Sequence, residues 1–557
     1  MHSRFRKAMS TLAAAAIVLL PIAPAYGNDG HGNDGHPNGK PGRVSSVQSA
    51  NPKSVGVPEP NVLSPELIEA IVAQGSWKLE NPSDLTNYYG YGNDGPPVPV
   101  PGDLPSAVHK VEATKTEPDK NTYLILQNQR GADPNYDYGT HFLFQGHENG
   151  PSGQSYITRI NLDADGAHRV TLMATTDVND KPLPTIDGST WYPFSQRLLF
   201  TSESGSNASI LQATLDVPSE VEDISGIVGR AAYEGVQADH AGRLILVEDS
   251  GGKAGTSFPN AKQANSFVYR FLPSNPSDLK AGGKLQVLQV KSKAHAGAIV
   301  FGSNIDADIK SQDQQDLHTY GLVFQTTWVT IHDTAVQGFT PYNANAAAKT
   351  AGGTPFKRPE NGQFRPGSHF SEFIFDTTGD TNALTEAGSA FGGFGAIFRL
   401  QTGAGDAGAL SLVFRGDVAH TGLDNCAFWD ANRIVFVEDA GDLLHGQRNA
   451  LDSAYLFDLN SDFSNPANQP IRILAEGRDA AATLDSQFSG KTGFQNDGDN
   501  EITGWHESDG DASVGGLLGA KIPTPFRAGW RLFFTQQHGD NNTWEILRDD
   551  KVDSEND

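Results

Sequence analysis

One pattern returns along the chain and limits what it can fold into: a short apolar run that ends in acids, amides or a histidine. It is read in "HFLFQGHENG" (141–150), "RLLFTSESG" (197–205), "RLILVEDSGG" (243–252), "RIVFVEDAGD" (433–442) and "RLFFTQQHGD" (531–540). The four copies that open on arginine begin at 197, 243, 433 and 531, with gaps of 46, 190 and 98. These gaps are close to one, four and two units of about 47 residues, and a period in the forties with Gly-rich turns is that of propeller blades. Paired runs such as "SFVYRFLP" and "GAIFRL" fit as neighbouring strands of a blade. With 60 glycines, 32 prolines and 37% hydrophobic residues in 557, many short strands and turns are favoured over long helices. The expectation is an all-β chain, a β-propeller, with irregular insertions.

The repeat carries a chemical consequence. If equivalent strands share one direction, their ends gather at one mouth of the central channel. Acids far apart in sequence then crowd together, and they repel unless cations neutralise them. On this ground Glu203, Glu438 and His538 are candidate metal ligands, Asp439 and Glu148 are further rim acids, and Asp424 or Asn425 offers a ligand oxygen or an Asx turn. "NDGDNEITGWHE" lacks the glycine and glutamate positions of an EF-hand, and no Gly-x-Ser-x-Gly element or phosphate loop stands in a suitable context.

The formal net charge of −25 argues against nucleic acid as a partner, because phosphates need a basic face. It is compatible with calcium, a hard cation that takes oxygen ligands. The sole cysteine, Cys426, forms no intramolecular disulfide and reads as a core thiol. Residues 1–27 read as a signal peptide: Arg4, Arg6 and Lys7, then "AMSTLAAAAIVLLPIA", then small residues allowing cleavage after Ala25 or Gly27. No later segment is apolar enough to span a membrane, so a secreted or periplasmic protein, monomeric, is expected. Residues 28–60 lack apolar spacing and read as a disordered tail; 61–119 read as an N-terminal extension with a short helix in "SPELIEAIVAQG"; 120–547 as the propeller; 548–557 as a polar tail.

Eight segments in order resemble the PhoX-type alkaline phosphatases and their secreted propeller relatives, from about Tyr138 to Ile546. They are "GHENG" with "YITRINLDADGAHRVTLMA", "STWYPFSQRLLFTSESG", "AAYEGVQADHAGRLILVEDSGG" with "FVYRFLP", "WVTIHD", "FKRPENGQF", "GLDNCAFWDANRIVFVEDAGD", "NEITG" and "RLFFTQQHG". The resemblance implies a six-bladed propeller that hydrolyses phosphate monoesters of small molecules at a calcium site on the channel rim. It implies that Glu234 and Glu360 are metal ligands, that Asp249 binds calcium (Glu248 if the strand register slips by one), and that Arg358 contacts phosphate. Arg358, Glu234 and Glu360 are thus the candidate catalytic residues, and Glu203, Glu234, Asp249, Glu360, Glu438 and His538 the candidate metal ligands.

The chain departs from the family at two positions. Ser202 stands where active relatives carry the cysteine whose thiolate binds iron, and serine is a poor soft ligand, so an iron pair is not supported. Tyr233 replaces the histidine of the family's His-Glu step. Two alternatives therefore stay open beside the phosphatase: a non-catalytic calcium-binding propeller, and another hydrolase on the same rim.

Overall fold

In the computed structural model, short antiparallel strands follow one another as meanders, and the first strand of each meander lines a central channel. The structure describes residues 44–48, 61–94, 113–402, 405–476, 501–537 and 541–549. All of them lie in one compact unit beginning at Arg43. The first meander runs Pro118–Ile125, His141–His147, Ile157–Asn161 and Val170–Ala174; the second runs Ile186–Tyr192, Arg197–Ser202, Ile210–Ala213 and Val221–Asp223. A nine-stranded sheet holds two further meanders, which start at Tyr233–Ala238 and at Gly362–Phe364. They are joined at their outer edges by the strand Val323–Asp333. The remaining two sheets start at Leu423–Phe428 and Glu501–Ser508.

The six first strands touch in sequence around the channel, and the last, Glu501–Ser508, packs on the first, Pro118–Ile125. The arrangement is a propeller, all-β apart from short helices in the connections, as the repeat implies. Its hydrogen bonding gives five sheets, because Val323–Asp333 runs two meanders into one.

The segment "SPELIEAIVAQG" forms no helix. Leu67–Ala73 is a strand paired antiparallel with Asn542–Arg548, with Ile68 opposite Leu547 and Ile71 opposite Trp544. Local helical spacing is a weak preference; three β-branched residues and a ready sheet edge outweigh it. Asn61–Leu63 likewise adds to the edge of Ile471–Glu476. The N-terminal extension thus supplies outer strands to the last two sheets and ties the two ends of the chain together.

Between the sheets, inward-facing aromatics interdigitate, as Phe142, Phe144, Leu198 and Phe200 do between the first two meanders. Cys426 is a buried free thiol in such a layer, and burial pushes its pKa up. Among the described residues no helix is long and apolar enough to cross a membrane. Residues 1–43 and 550–557, where the signal peptide, most of the disordered tail and most of the polar tail were expected, lie outside the described residues.

Candidate metal centre at the channel mouth

Each of the six channel-lining strands delivers one carboxylate to the same mouth. Asp119, Asp187, Glu234 and Asp424 are the second residues of their strands, Glu501 is the first of its strand, and Glu360 precedes Gly362–Phe364 by two residues. The cause is a repeated irregularity. Pairing with the second strand slips immediately after Pro118, Ile186, Tyr233 and Leu423, so the acid and the residue after it fall in a β-bulge. A bulge re-aims a side chain and ends regular pairing; here it turns the acid into the channel.

The residue after the acid abuts the next channel strand. A Cβ on Gly188 would lie 2.4 Å from the Glu234 carbonyl oxygen, and one on Gly235 would lie 2.9 Å from the Glu360 carbonyl oxygen. At three of the other four sites this position is polar, Lys120, Asn361 and Asn425, and after Glu501 it is the apolar Ile502. Buried Lys120 donates to Asn361 Oδ1 at 2.5 Å, and Asn425 donates to Asp424 Oδ2 at 2.6 Å.

The second strand of each meander runs the other way and brings Glu148, Glu203, Asp249 and Asp376 to the same mouth. Among the described residues three groups result in which one carboxylate oxygen per residue lies within 4.8 Å of the others: Asp119–Glu148–Asp187, Asp187–Glu203–Glu234 and Glu234–Glu360–Asp424. Asp187 and Glu234 are shared, so the groups form one chain of seven carboxylates. Among the described residues, no hydrogen-bond donor reaches the buried Asp187 Oδ1, Glu234 Oε2 and Asp376 Oδ2.

Burial, reinforced by neighbouring carboxylates, holds Glu148, Asp187, Glu234, Glu360, Asp424 and Glu501 well above the ordinary carboxylate range. Burial and then Asp249 push Glu203 up to about 7. Such a cluster needs protons or cations. Its donors are all hard oxygens, which fit calcium. No thiolate joins them: Ser202 Oγ accepts the Ser209 N–H at 2.8 Å, so the donor set does not fit an iron pair that needs a soft ligand.

Arg358 enters the cluster as a cation. Its Nε lies 2.9 Å from Asp249 Oδ1 and its Nη2 2.7 Å from Asp249 Oδ2, with Glu360 Oε1 3.4 Å from Nη2. It does so from a left-handed backbone, φ +56°, immediately before Pro359, a conformation that a side-chain-bearing residue keeps only under constraint. Constraint comes from both sides: the Arg358 carbonyl accepts the Thr378 N–H at 2.9 Å, and the Thr378 hydroxyl donates to Glu360 Oε1.

Of the residues singled out in the sequence, Glu203, Glu234, Asp249, Arg358 and Glu360 are brought together. Glu248 points away and bonds Tyr269 Oη (2.8 Å) and the Phe267 N–H (3.1 Å), so Asp249 is the acid at the mouth. Glu438 does not join the cluster: both its oxygens are held by Arg448, at 2.8 and 3.1 Å, in a buried ion pair. Its neighbour Asp439 is the acid whose charge is felt at Glu501 and Asp424. Tyr233 turns into the core, where its hydroxyl donates to the Val228 carbonyl at 2.5 Å. His538 lies outside the described residues. Sequence reasoning missed Asp119, Asp187, Asp376 and Glu501. For the first two a signal existed: an acid followed by Gly, Asn or Lys at a strand start recurs in "PDKN", "IDGS", "YEGV", "PENG" and "LDNC".

Residues 233–447 match the family Alkaline phosphatase PhoX. No curated protein matches the sequence. Among solved structures, the Pseudomonas fluorescens PhoX in complex with vanadate, a transition state analogue, is similar over 91% of this chain and 98% of its own, with a TM-score of 0.52 at 12% identity. The gluconolactonase XC5397 from Xanthomonas campestris aligns over 90% of this chain and 98% of its own, with a TM-score of 0.39 at 8% identity. The resemblance to the PhoX-type alkaline phosphatase family therefore stands, by sequence over residues 233–447 and by fold over most of the chain.

Proposed function

We propose that the protein is a metal-dependent phosphatase acting outside the cytoplasm, as a monomer, on phosphate monoesters of small molecules, with calcium held by the carboxylates of the channel mouth. One observation carries this reading. A constrained arginine, Arg358, is held by Asp249 beside a chain of seven carboxylates, five buried and two half-buried, that cannot all stay ionised without cations. Its guanidinium is a planar fork suited to phosphoryl oxygens. The family match over residues 233–447 supports the same reaction class.

The division of labour follows from position. Asp187 and Glu234, each shared between two groups, and Glu203, Glu360, Asp119, Glu148 and Asp424 would hold the cations. Bound divalent ions supply a lowered water pKa and polarisation of the phosphoryl group. Arg358 orients the phosphate and stabilises the charge that shifts onto its oxygens. Lys120, buried beside Asn361, adds a second fixed positive charge within the channel mouth. Ser202 favours a second reading, a propeller that binds calcium without catalysing hydrolysis.

One experiment separates the two. Metal content, melting temperature and hydrolysis of a chromogenic phosphate monoester are measured for the parent, Arg358→Ala and Glu360→Ala. Losing one charge-stabilising donor costs about 3 kcal/mol, roughly a hundredfold in turnover. Arg358→Ala should show that loss with its metals retained, whereas Glu360→Ala should lose metal and thermal stability together with activity. A parent that binds calcium and cleaves no ester establishes the non-catalytic propeller. Equal turnover by parent and Arg358→Ala removes the phosphate role from Arg358.

A further inference from the structure

Between the segments 251–267, 300–305 and 349–355 lies a cavity of about 580 Å³ that the carboxylate centre does not use. Its polar wall holds Lys253, Lys349 and Asn265, and its apolar wall Phe267, Phe301 and Ile305. It adjoins the centre through the chain itself. Gly251 on its wall is two residues beyond Asp249, and Pro355 is three residues before Arg358.

The charge of this cavity is opposite to that of the protein as a whole. Lys349 Nζ is pinned by Asn265 Oδ1 at 2.6 Å, and Asn265 in turn donates to the Ser250 carbonyl at 3.1 Å. Both lysines are exposed, and the Asn265 amide oxygen is the partner of the Lys349 ammonium. Nearby acids are engaged elsewhere: Glu248 by Tyr269, Phe267 N–H and Asn345, and Asp308 by Gln263 and the Gly302 N–H. Burial and the neighbouring Lys253 charge push the Lys349 pKa down, against the pull of Glu248. Two solvent-facing ammoniums beside an apolar wall, in a chain of net charge −25, form a local positive site that attracts an organic anion.

We infer that this cavity receives the leaving group of the substrate, and that the preferred phosphate monoesters carry a second anionic group, a carboxylate or another phosphate, on an apolar body. The inference rests on the phosphatase reading for the reaction but not for the binding. The ammoniums of Lys253 and Lys349 take the second anion, and Phe301 and Val300 cover the body that joins it to the ester. The volume is within the range of about 300–1,000 Å³ typical of small-molecule sites.

The test has two arms on the full-length, calcium-loaded protein. In the first, 6-hydroxy-2-naphthoate, the alcohol that such an ester would release, is titrated by its fluorescence into the parent and into Lys253→Gln/Lys349→Gln. A charge-assisted contact to each ammonium predicts binding weakened about tenfold or more in the double variant, and weakened in both proteins' difference by added salt. In the second arm, kcat/KM is compared for the phosphate ester of this probe and for 2-naphthyl phosphate. The parent should prefer the carboxylated ester by about tenfold, and the double variant should bring the ratio near one. A probe that binds both proteins equally, or neither, overturns the site whatever the turnover. Charge-dependent binding with a parent ratio of one overturns the leaving-group assignment. Charge-dependent binding with neither ester cleaved keeps the anion site and refutes the phosphatase reading instead.

Discussion

Removing the Lys357 ammonium should destabilise the protein by about 3–5 kcal/mol, although Lys357 touches no candidate metal ligand. Its Nζ lies 3.0 and 2.9 Å from the two oxygens of Asp380, and the two side chains are 2% and 0% exposed. At that separation the attraction is about 5–6 kcal/mol for an effective dielectric of about 20. Desolvation opposes it: burial pulls the Lys357 pKa below the ordinary lysine value, and Asp380 does not bring it back. The pair therefore adds little over an apolar pair of the same shape, yet breaking it strands a buried carboxylate. Asp380 would keep only the Thr385 hydroxyl at 2.6 Å and the Lys262 N–H at 3.1 Å. Lys357→Met should show the full penalty in urea unfolding at fixed calcium, and Lys357→Met/Asp380→Leu should recover most of it. A single variant within about 1 kcal/mol of the parent, or a double variant worse than the single, refutes this reasoning. The pair also bears on the site, since the Lys357 and Arg358 carbonyls accept the Gly379 and Thr378 N–H groups that fix the left-handed arginine.

Exhaustive chelation should lower the melting temperature, because ligands that bind only the folded state stabilise it by mass action, about 2.7 kcal/mol at a hundredfold excess over the dissociation constant; an unchanged melting temperature denies that cations hold the mouth together. Gly188→Ala should cost about 1–3 kcal/mol and reduce metal content, since its Cβ would press within 2.4 Å of the Glu234 carbonyl and spread Asp187 from Glu234; calcium titration by calorimetry checks it. Burial acts to lower the His445 pKa, but Asp452 at 2.9 Å raises it to about 9 from the ordinary 6.5. The stability from this raised pKa is fully present below pH 6.5 and is lost as pH rises through about 9, so His445→Gln should flatten the fall in unfolding midpoint across that window.

The propeller was legible because it is written as repetition. Apolar runs that end in acids recur at multiples of one length, and each became the second strand of a meander. The first strands were harder to read. Their acids sit at bulges, where one residue is out of register with its partner, so no period-two alternation marks them. What makes Asp119 and Asp187 functional candidates is contact between strands of different meanders, and that is set by closure of the ring rather than by local sequence. The same tertiary term turned "SPELIEAIVAQG" from a helical pattern into the outer strand of the last sheet.

The misplacement of Glu438 is the more instructive failure, because the repeat held the means to avoid it. "VEDSGG" and "VEDAGD" close equivalent strands, so whichever acid faces the mouth in one copy should face it in the other. Choosing Asp249 in the first and Glu438 in the second assigns two registers to one repeated element. The structure gives both copies the same register. Glu248 pairs with Tyr233 and Glu438 with Leu423, each opposite the residue just before a bulge. The aspartate N–H that follows bonds the residue before the channel strand, Asp249 to Ala232 at 2.8 Å and Asp439 to Gly422 at 2.6 Å. With its backbone fixed there, the aspartate is left at the mouth and the glutamate is turned into the blade, where each copy neutralises it differently. Glu248 has a tyrosine, an asparagine and a backbone N–H, while Glu438 has Arg448. Symmetry thus fixes position and leaves chemistry free. The mouth-facing acids can keep a shared task around the ring, while the buried partner of each is free to differ from blade to blade.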